Sequence, residues 1–383
     1  METESGRRAQ MILIASVLLA VMFVVLALVV NSAVYTENLG TRDTTRSSEP
    51  ISDHTVTTTR LERTVQSANF HSDTDDYDER HAVIQENTTG WETTMQGKRA
   101  ADGSLYATEI VDTANGTRVS QDVRGEFMPA KNSILDPLDP LGLGDKKNWV
   151  IANGSRVRGF EMNVTRDELA SRNPTLVGVL TTVADTALTG SAVFWTESDV
   201  QNGDGDFWRL YLLKDGSNVT AFVVEFDGGT GSVEAECSAR GEQVDVLVSE
   251  GRLVGEDDSV PCPAIRNLSG TEQRDLHYAG GDEVQGTYQF VVDKKETPFR
   301  EELEDRYGFL LDDLLSDIDD DDDDLPDIDD DDLSDIDDDD VYYETPSDGH
   351  PYTTTAVWNA TVELTYRDDN VRYSRNVTVP SGS

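Results

Sequence analysis

Residues Met11 to Val30 (MILIASVLLAVMFVVLALVV) form an almost wholly apolar run, and no charge falls anywhere between Ala9 and Thr36. A helix rises about 1.5 Å per residue, so this run spans about 30 Å, the thickness of one hydrocarbon core. A secretory leader has a shorter apolar stretch, roughly 7–15 residues, and a small-x-small cleavage site. The late candidate here, Asn31-Ser32-Ala33, puts Asn at the wrong place. The expectation is a retained transmembrane helix over 10–36, after a cytoplasmic leader over 1–9. No second run of this kind follows, so the chain is expected to cross the bilayer once, through Met11 to Val30. Arg7 and Arg8 precede the helix and Arg42 and Arg46 follow it, so flanking charge alone does not orient it. The long acidic remainder, with cysteines and glycosylation acceptors, sets the N-terminus inside the cell membrane and the C-terminal domain outside.

Charge narrows the partners. Asp and Glu number 75 against 31 Lys and Arg, a net −44. Such a chain repels nucleic acid and anionic lipid, so no nucleic-acid partner is expected. Self-repulsion also opposes compaction, and molar salt, with a Debye length of about 3 Å, removes most of it. The cations are 24 Arg and only 7 Lys, and a carboxylate-rich, Lys-poor surface marks a salt-adapted, halophilic protein. Within 312–340 lie 19 Asp and no other charge, arranged as LSDIDDDDDD, LPDIDDDD and LSDIDDDD. Like charges this dense cannot collapse, so the segment reads as a disordered, solvated insertion that gathers cations diffusely.

Between anchor and insertion the pattern changes twice. Residues 37–102 read as a polar stalk to residue 52 followed by two short helices. Leu61, Val65 and Ala68 mark the first; Tyr77, Ile84, Trp91 and Met95 stripe the second, with Asp75 or Asp76 as its cap. From 103 to 311, short runs rich in Val, Thr and aromatics predict strands at Ser104–Val111, Trp149–Ala152, Val157–Val164, Phe207–Leu213, Val219–Phe226, Ser232–Cys237, Val244–Val248 and Thr287–Val292. Residues 341–383 add Thr354–Tyr366 and Val371–Val379. Asn153-Gly154, Asp215-Gly216, Gly228-Gly229 and Asp368-Asp369-Asn370 read as turns, and 132–147 as a loop. The fold class expected is α+β: a transmembrane helix, a short helical segment, and an antiparallel β-sandwich-like extracellular domain interrupted by the Asp-rich insertion.

Motifs for chemistry are scarce. The five histidines form no HExxH or HxH pair, and no GxSxG elbow, P-loop or GxGxxG follows a strand. No catalytic residue, cofactor or metal site is expected, and the chain reads as a non-enzyme. Asn202-Gly-Asp204-Gly-Asp206 lacks the closing Glu of a calcium loop, with Leu213 in its place, and reads as a hairpin turn. Cys237 and Cys262 flank 24 residues in the exported part; a disulfide is expected, with two buried thiols as the alternative. Eight sequons occur, at Asn87, Asn115, Asn153, Asn163, Asn218, Asn267, Asn359 and Asn376. Chance would give about three, so a glycosylated surface is expected, with Asn87 least suited because it falls on the apolar stripe of its helix.

The start RRAQMILIAS…VNSAVYTENLGTR resembles that of haloarchaeal pilin-like surface proteins with class III signal peptides. In that pattern a basic residue and a small one precede the cut, as in Arg8-Ala9-Gln10-Met11. The resemblance implies cleavage between Ala9 and Gln10, self-association through the N-terminal helix, and a β domain outside. The acid found five residues into bacterial pilins would be Ile14 here, so pilin-type subunit pairing is not implied. The function expected is a glycosylated, membrane-anchored structural protein of the cell surface, a minor pilin-like subunit or an adhesin-like module. An anchored extracellular sensor or solute-binding domain is the alternative.

Overall fold

The computed structural model describes residues 19–29, 51–72, 74–129, 149–172, 193–200, 207–227, 230–303, 343, 350–369 and 371–381. Most of the predicted membrane segment, the Ala9–Gln10 bond, the loop at 132–147, the Asn202–Asp206 turn, Gly228-Gly229 and the insertion over 312–340 lie outside them. Residues 19–29 are helical, and Leu19, Met22 and Leu28 on that helix are more than half exposed. Among the described residues no helix is long and apolar enough to cross a membrane.

Two helices follow, α1 over 51–70 and α2, Tyr77–Ala100. The second starts where Asp76 accepts hydrogen bonds from the amides of Asp78 (2.8 Å) and Glu79 (3.1 Å), and Lys98 and Arg99 close its last turn. Both ends therefore suit the helix dipole. Leu61, Val65 and Ala68 of α1 and Ile84 of α2 bury their faces together against the sheet. The segment read as stalk to residue 52 is thus already helical from residue 51, because Asp53 and Thr57 have buried partners.

The strands are β1 (Leu105–Glu126), β2 (Trp149–Thr165), β3 (Trp195–Val200), β4 (Phe207–Asp215), β5 (Asn218–Asp227), β6 (Thr230–Arg240), β7 (Gln243–Leu247), β8 (Arg252–Val254), β9 (Ser259–Pro261), β10 (Gly270–Ala279), β11 (Gln285–Val292), β12 (Tyr352–Arg367) and β13 (Arg372–Pro380). Ten of them run β13-β12-β1-β11-β2-β10-β3-β4-β5-β6, every pairing antiparallel. The long strand β2 is the fold line. One edge pairs with β11; on the other, its first half pairs with β10 and its end, Glu161–Thr165, with β7. Two branches therefore leave β2, one through β10 to β6 and one through β7 to β9, and the main core fills the space between them. Phe160, Met162, Val164 and Val246 meet Leu210, Leu212, Val223 and Leu276 there. The sandwich-like antiparallel architecture follows from that split.

Several boundaries differ from the sequence reading. Asn153-Gly154 is no turn: Gly154 takes φ 49° inside β2, where the register with β10 slips, so it is a bulge. Asp215-Gly216 does turn, with φ 61° at Gly216. Strands β3, β8, β9 and β10 and the second half of β1 were not expected at all. Asn87 is exposed on α2 rather than buried with its stripe.

Candidate functional site

Where α1 ends, it leaves part of the sheet's outer face uncovered. Directly opposed residues share a face, and the registers place Tyr352, Ser120, Gln289, Glu161 and Leu247 in one lateral row across β12, β1, β11, β2 and β7. The next row holds Thr287, Asn163 and Asp245. These side chains floor a groove of about 660 Å³, walled by Phe70, His71 and Ser72 at the end of α1 and by Asp75 in the link to α2.

Hydrogen bonds lock the floor. Arg118 donates to Gln289 Oε1 (2.8 Å) and Ser120 Oγ (3.2 Å), while Gln289 Nε2 donates to Glu161. Asn163 Nδ2 donates to Asp245 Oδ1 (2.6 Å), and its own Oδ1 accepts from Arg124 (2.9 Å). Tyr352 donates to Asp122 Oδ2 (3.0 Å), and burial raises its phenol pKa above the ordinary value. The Arg118 guanidinium lies 5.8 Å from the Phe70 ring centroid. Four carboxylates line the groove (Asp75, Asp122, Glu161 and Asp245) against the single guanidinium of Arg118. Among the described residues, Arg118 Nε and Gln121 Oε1 are buried without a hydrogen-bond partner. The arrangement offers fixed donors and acceptors over a broad floor, which suits recognition.

The wall is held as firmly as the floor. Asn69, fully buried, donates to Val357 O (2.8 Å) and accepts from Val357 N (2.9 Å). Val357 sits where β12 bulges at Trp358 against β1, so its backbone needs another partner there. Arg80 of α2 reaches back to cap α1, donating to Ala68 O (2.6 Å), Asn69 O (3.0 Å) and Ser72 Oγ (3.0 Å). Burial lowers its pKa, with Arg118 nearby adding to the effect.

The residues singled out from sequence lie mostly elsewhere. Cys237 on β6 and Cys262 after β9 are joined in a disulfide with Cα atoms 6.0 Å apart, closing the two branches of the sheet on each other. Among the sequons, Asn87 and Asn376 are exposed, Asn115, Asn153, Asn163, Asn218, Asn267 and Asn359 are half-buried, and Asn163 is in the groove floor. Among the described residues no three His, Cys, Asp or Glu side chains converge to hold a metal. Sequence reading missed the groove. Its available signal is the polar face of Arg118-Val-Ser120-Gln-Asp122, continued by Glu161 and Asn163 in the expected strand Val157–Val164.

Residues 5–127 match a family of unknown function (DUF7261). The match spans the apolar run, both helices and β1, and so includes Phe70, Arg118, Ser120 and Asp122 of the groove. No curated protein and no solved structure matches the chain.

Proposed function

We propose that this is a single-anchor protein of a halophilic cell surface, which displays a glycosylated β domain as an adhesin-like module and does not catalyse a reaction. The observation that carries the reading is the course of α1. Its start is tied to α2 by the buried Asp53–Arg99 ion pair, and its end to β12 by Asn69. With about 30 Å between those ends, the chain joins the domain at one pole and the groove opens near the other. The exposed apolar side chains of 19–29 supply surface for a bilayer, which the domain does not cover. In this reading Met11 to Val30 spans the membrane, with residues 1–9 inside and the β domain outside.

Proteinase K added to intact cells in molar salt tests the topology. The expected result is loss of the β domain with an N-terminal fragment left in the membrane pellet. Full protection until lysis would overturn it. The pilin-like form adds cleavage after Ala9, which removes Arg7 and Arg8. Mass spectrometry of the N-terminal peptide from native membranes decides, since an intact peptide across Arg8 to Met11 leaves a plain anchored module. The groove also favours a second reading, an anchored sensor that takes a free solute.

A further inference from the structure

We infer that the groove at the end of α1 binds a neutral, polyhydroxylated ligand, a saccharide of one or two rings. This rests on the groove being a binding surface and is independent of how the chain is anchored.

Size comes first: about 660 Å³ lies within the roughly 300–1,000 Å³ of small-molecule sites. Sign comes next. An anionic ligand finds one lining cation, Arg118, whose guanidinium already donates to Gln289 and Ser120. A metal cation finds no convergent site, because among the described residues no three His, Cys, Asp or Glu side chains come together. An organic cation finds three of the four carboxylates already accepting hydrogen bonds, Glu161 from Gln289, Asp245 from Asn163 and Asp122 from Tyr352. A lipophilic ligand finds a floor of amides, hydroxyls and carboxylates instead of an apolar wall.

What remains is a neutral ligand rich in hydrogen-bond donors and acceptors, and the floor matches it. The Gln289 amide is fixed between Arg118 and Glu161, and the Asn163 amide between Arg124 and Asp245. Each therefore sets a donor beside an acceptor, the complement of neighbouring hydroxyls that each donate and accept. Phe70, half-buried, bounds the floor with aromatic surface for a ring face.

The saccharide has two possible sources, one external and one internal: Asn163, in the floor, heads the sequon Asn163-Val-Thr165. The test uses full-length protein from native membranes, in detergent and molar KCl. Glycopeptide mass spectrometry reads occupancy at Asn163. Saturation-transfer NMR then probes maltose and N,N′-diacetylchitobiose, with spermidine and citrate as charged controls. With Asn163 unmodified, transfer to sugar protons is expected, weakened at least tenfold in Gln289→Ala and reduced in the near-isosteric Asp122→Asn. A melting temperature within a few degrees of wild type shows that each variant folds. With Asn163 glycosylated, its glycan is expected to resist glycosidase in the folded protein and to become sensitive in Gln289→Ala. Transfer to neither sugar without an Asn163 glycan, transfer unaffected by both variants, or a freely cleaved Asn163 glycan would overturn the inference.

Discussion

Replacing Asn69 with Ala tests whether one amide fixes the helical hairpin to the sheet. Asn69 is 0% exposed, and both halves of its amide are spent on Val357, at 2.8 and 2.9 Å. Truncation leaves a backbone N–H and a C=O unpaired inside the protein, at about 1–3 kcal/mol each. The expected loss is therefore about 2–6 kcal/mol, a large part of the roughly 5–15 kcal/mol that holds a typical domain folded. Asn69→Asp is expected to be no better, since its carboxylate still accepts from Val357 N but faces the carbonyl oxygen without a proton. Chemical denaturation at fixed molar KCl, followed by tryptophan fluorescence, measures both. Trp91 lies on α2 beside Thr57 (3.3 Å) and Trp358 on the bulge, so the probes sit at the junction. A loss under about 0.5 kcal/mol for Asn69→Ala would show that the bulge finds other partners and that the apolar stripe alone docks the hairpin.

Reducing the Cys237–Cys262 bond, which spans 25 positions, is expected to cost roughly 3.5 kcal/mol in the chain-entropy model, read as a lower denaturation midpoint; an unchanged midpoint refutes a stabilising staple. Deleting 312–340 removes 19 like charges, so the remaining protein is expected to need less KCl to stay folded, and unfolding in molar KCl would show the segment to be structural. Burial raises the phenols of Tyr278 and Tyr288 well above their usual value of 10.0. The unfolded chain loses those protons above pH of about 10 while the folded chain keeps them, so stability falls as pH rises from there. Ultraviolet titration should show these tyrosines ionising only with unfolding, and ionisation of all tyrosines in the folded state would contradict it.

How much of this was legible in the sequence differs by element. Alternation in Phe160–Thr165 and in Trp358–Tyr366 marked strands correctly, because each has one buried and one polar face. The strand pattern of β1 fades after Val111, ahead of an Asn115-Gly116 pair that looks like a turn. Gly116 is there for contact: a Cβ would lie 2.5 Å from Val292 O, so only glycine lets β11 approach. Strand β10 went unread because Glu272, Arg274 and His277 obscure its apolar residues, and Arg274 is in fact buried with a hydrogen bond to Ser198 Oγ (3.1 Å). Strands β8 and β9, three residues each, are too short for any periodicity. The groove was invisible for a different reason. Its floor is assembled from residues near 120, 162, 245 and 288, which only the pairing register brings side by side.

The placement of α1 also decides how the molecule answers a pull. Tension entering at residue 51 runs along the helix axis, so Leu61, Val65, Ala68 and the Asn69 clasp must slide across the sheet together, in shear. A pull on the C-terminus instead meets β13, paired only with β12 among the described residues, and strips its hydrogen bonds one after another. Single-molecule stretching should therefore find a higher rupture force with handles at residue 51 and within the sheet than with one at the C-terminus. Because Phe70 and Ser72 end that same rod, strain on the anchor arrives first at the wall of the groove.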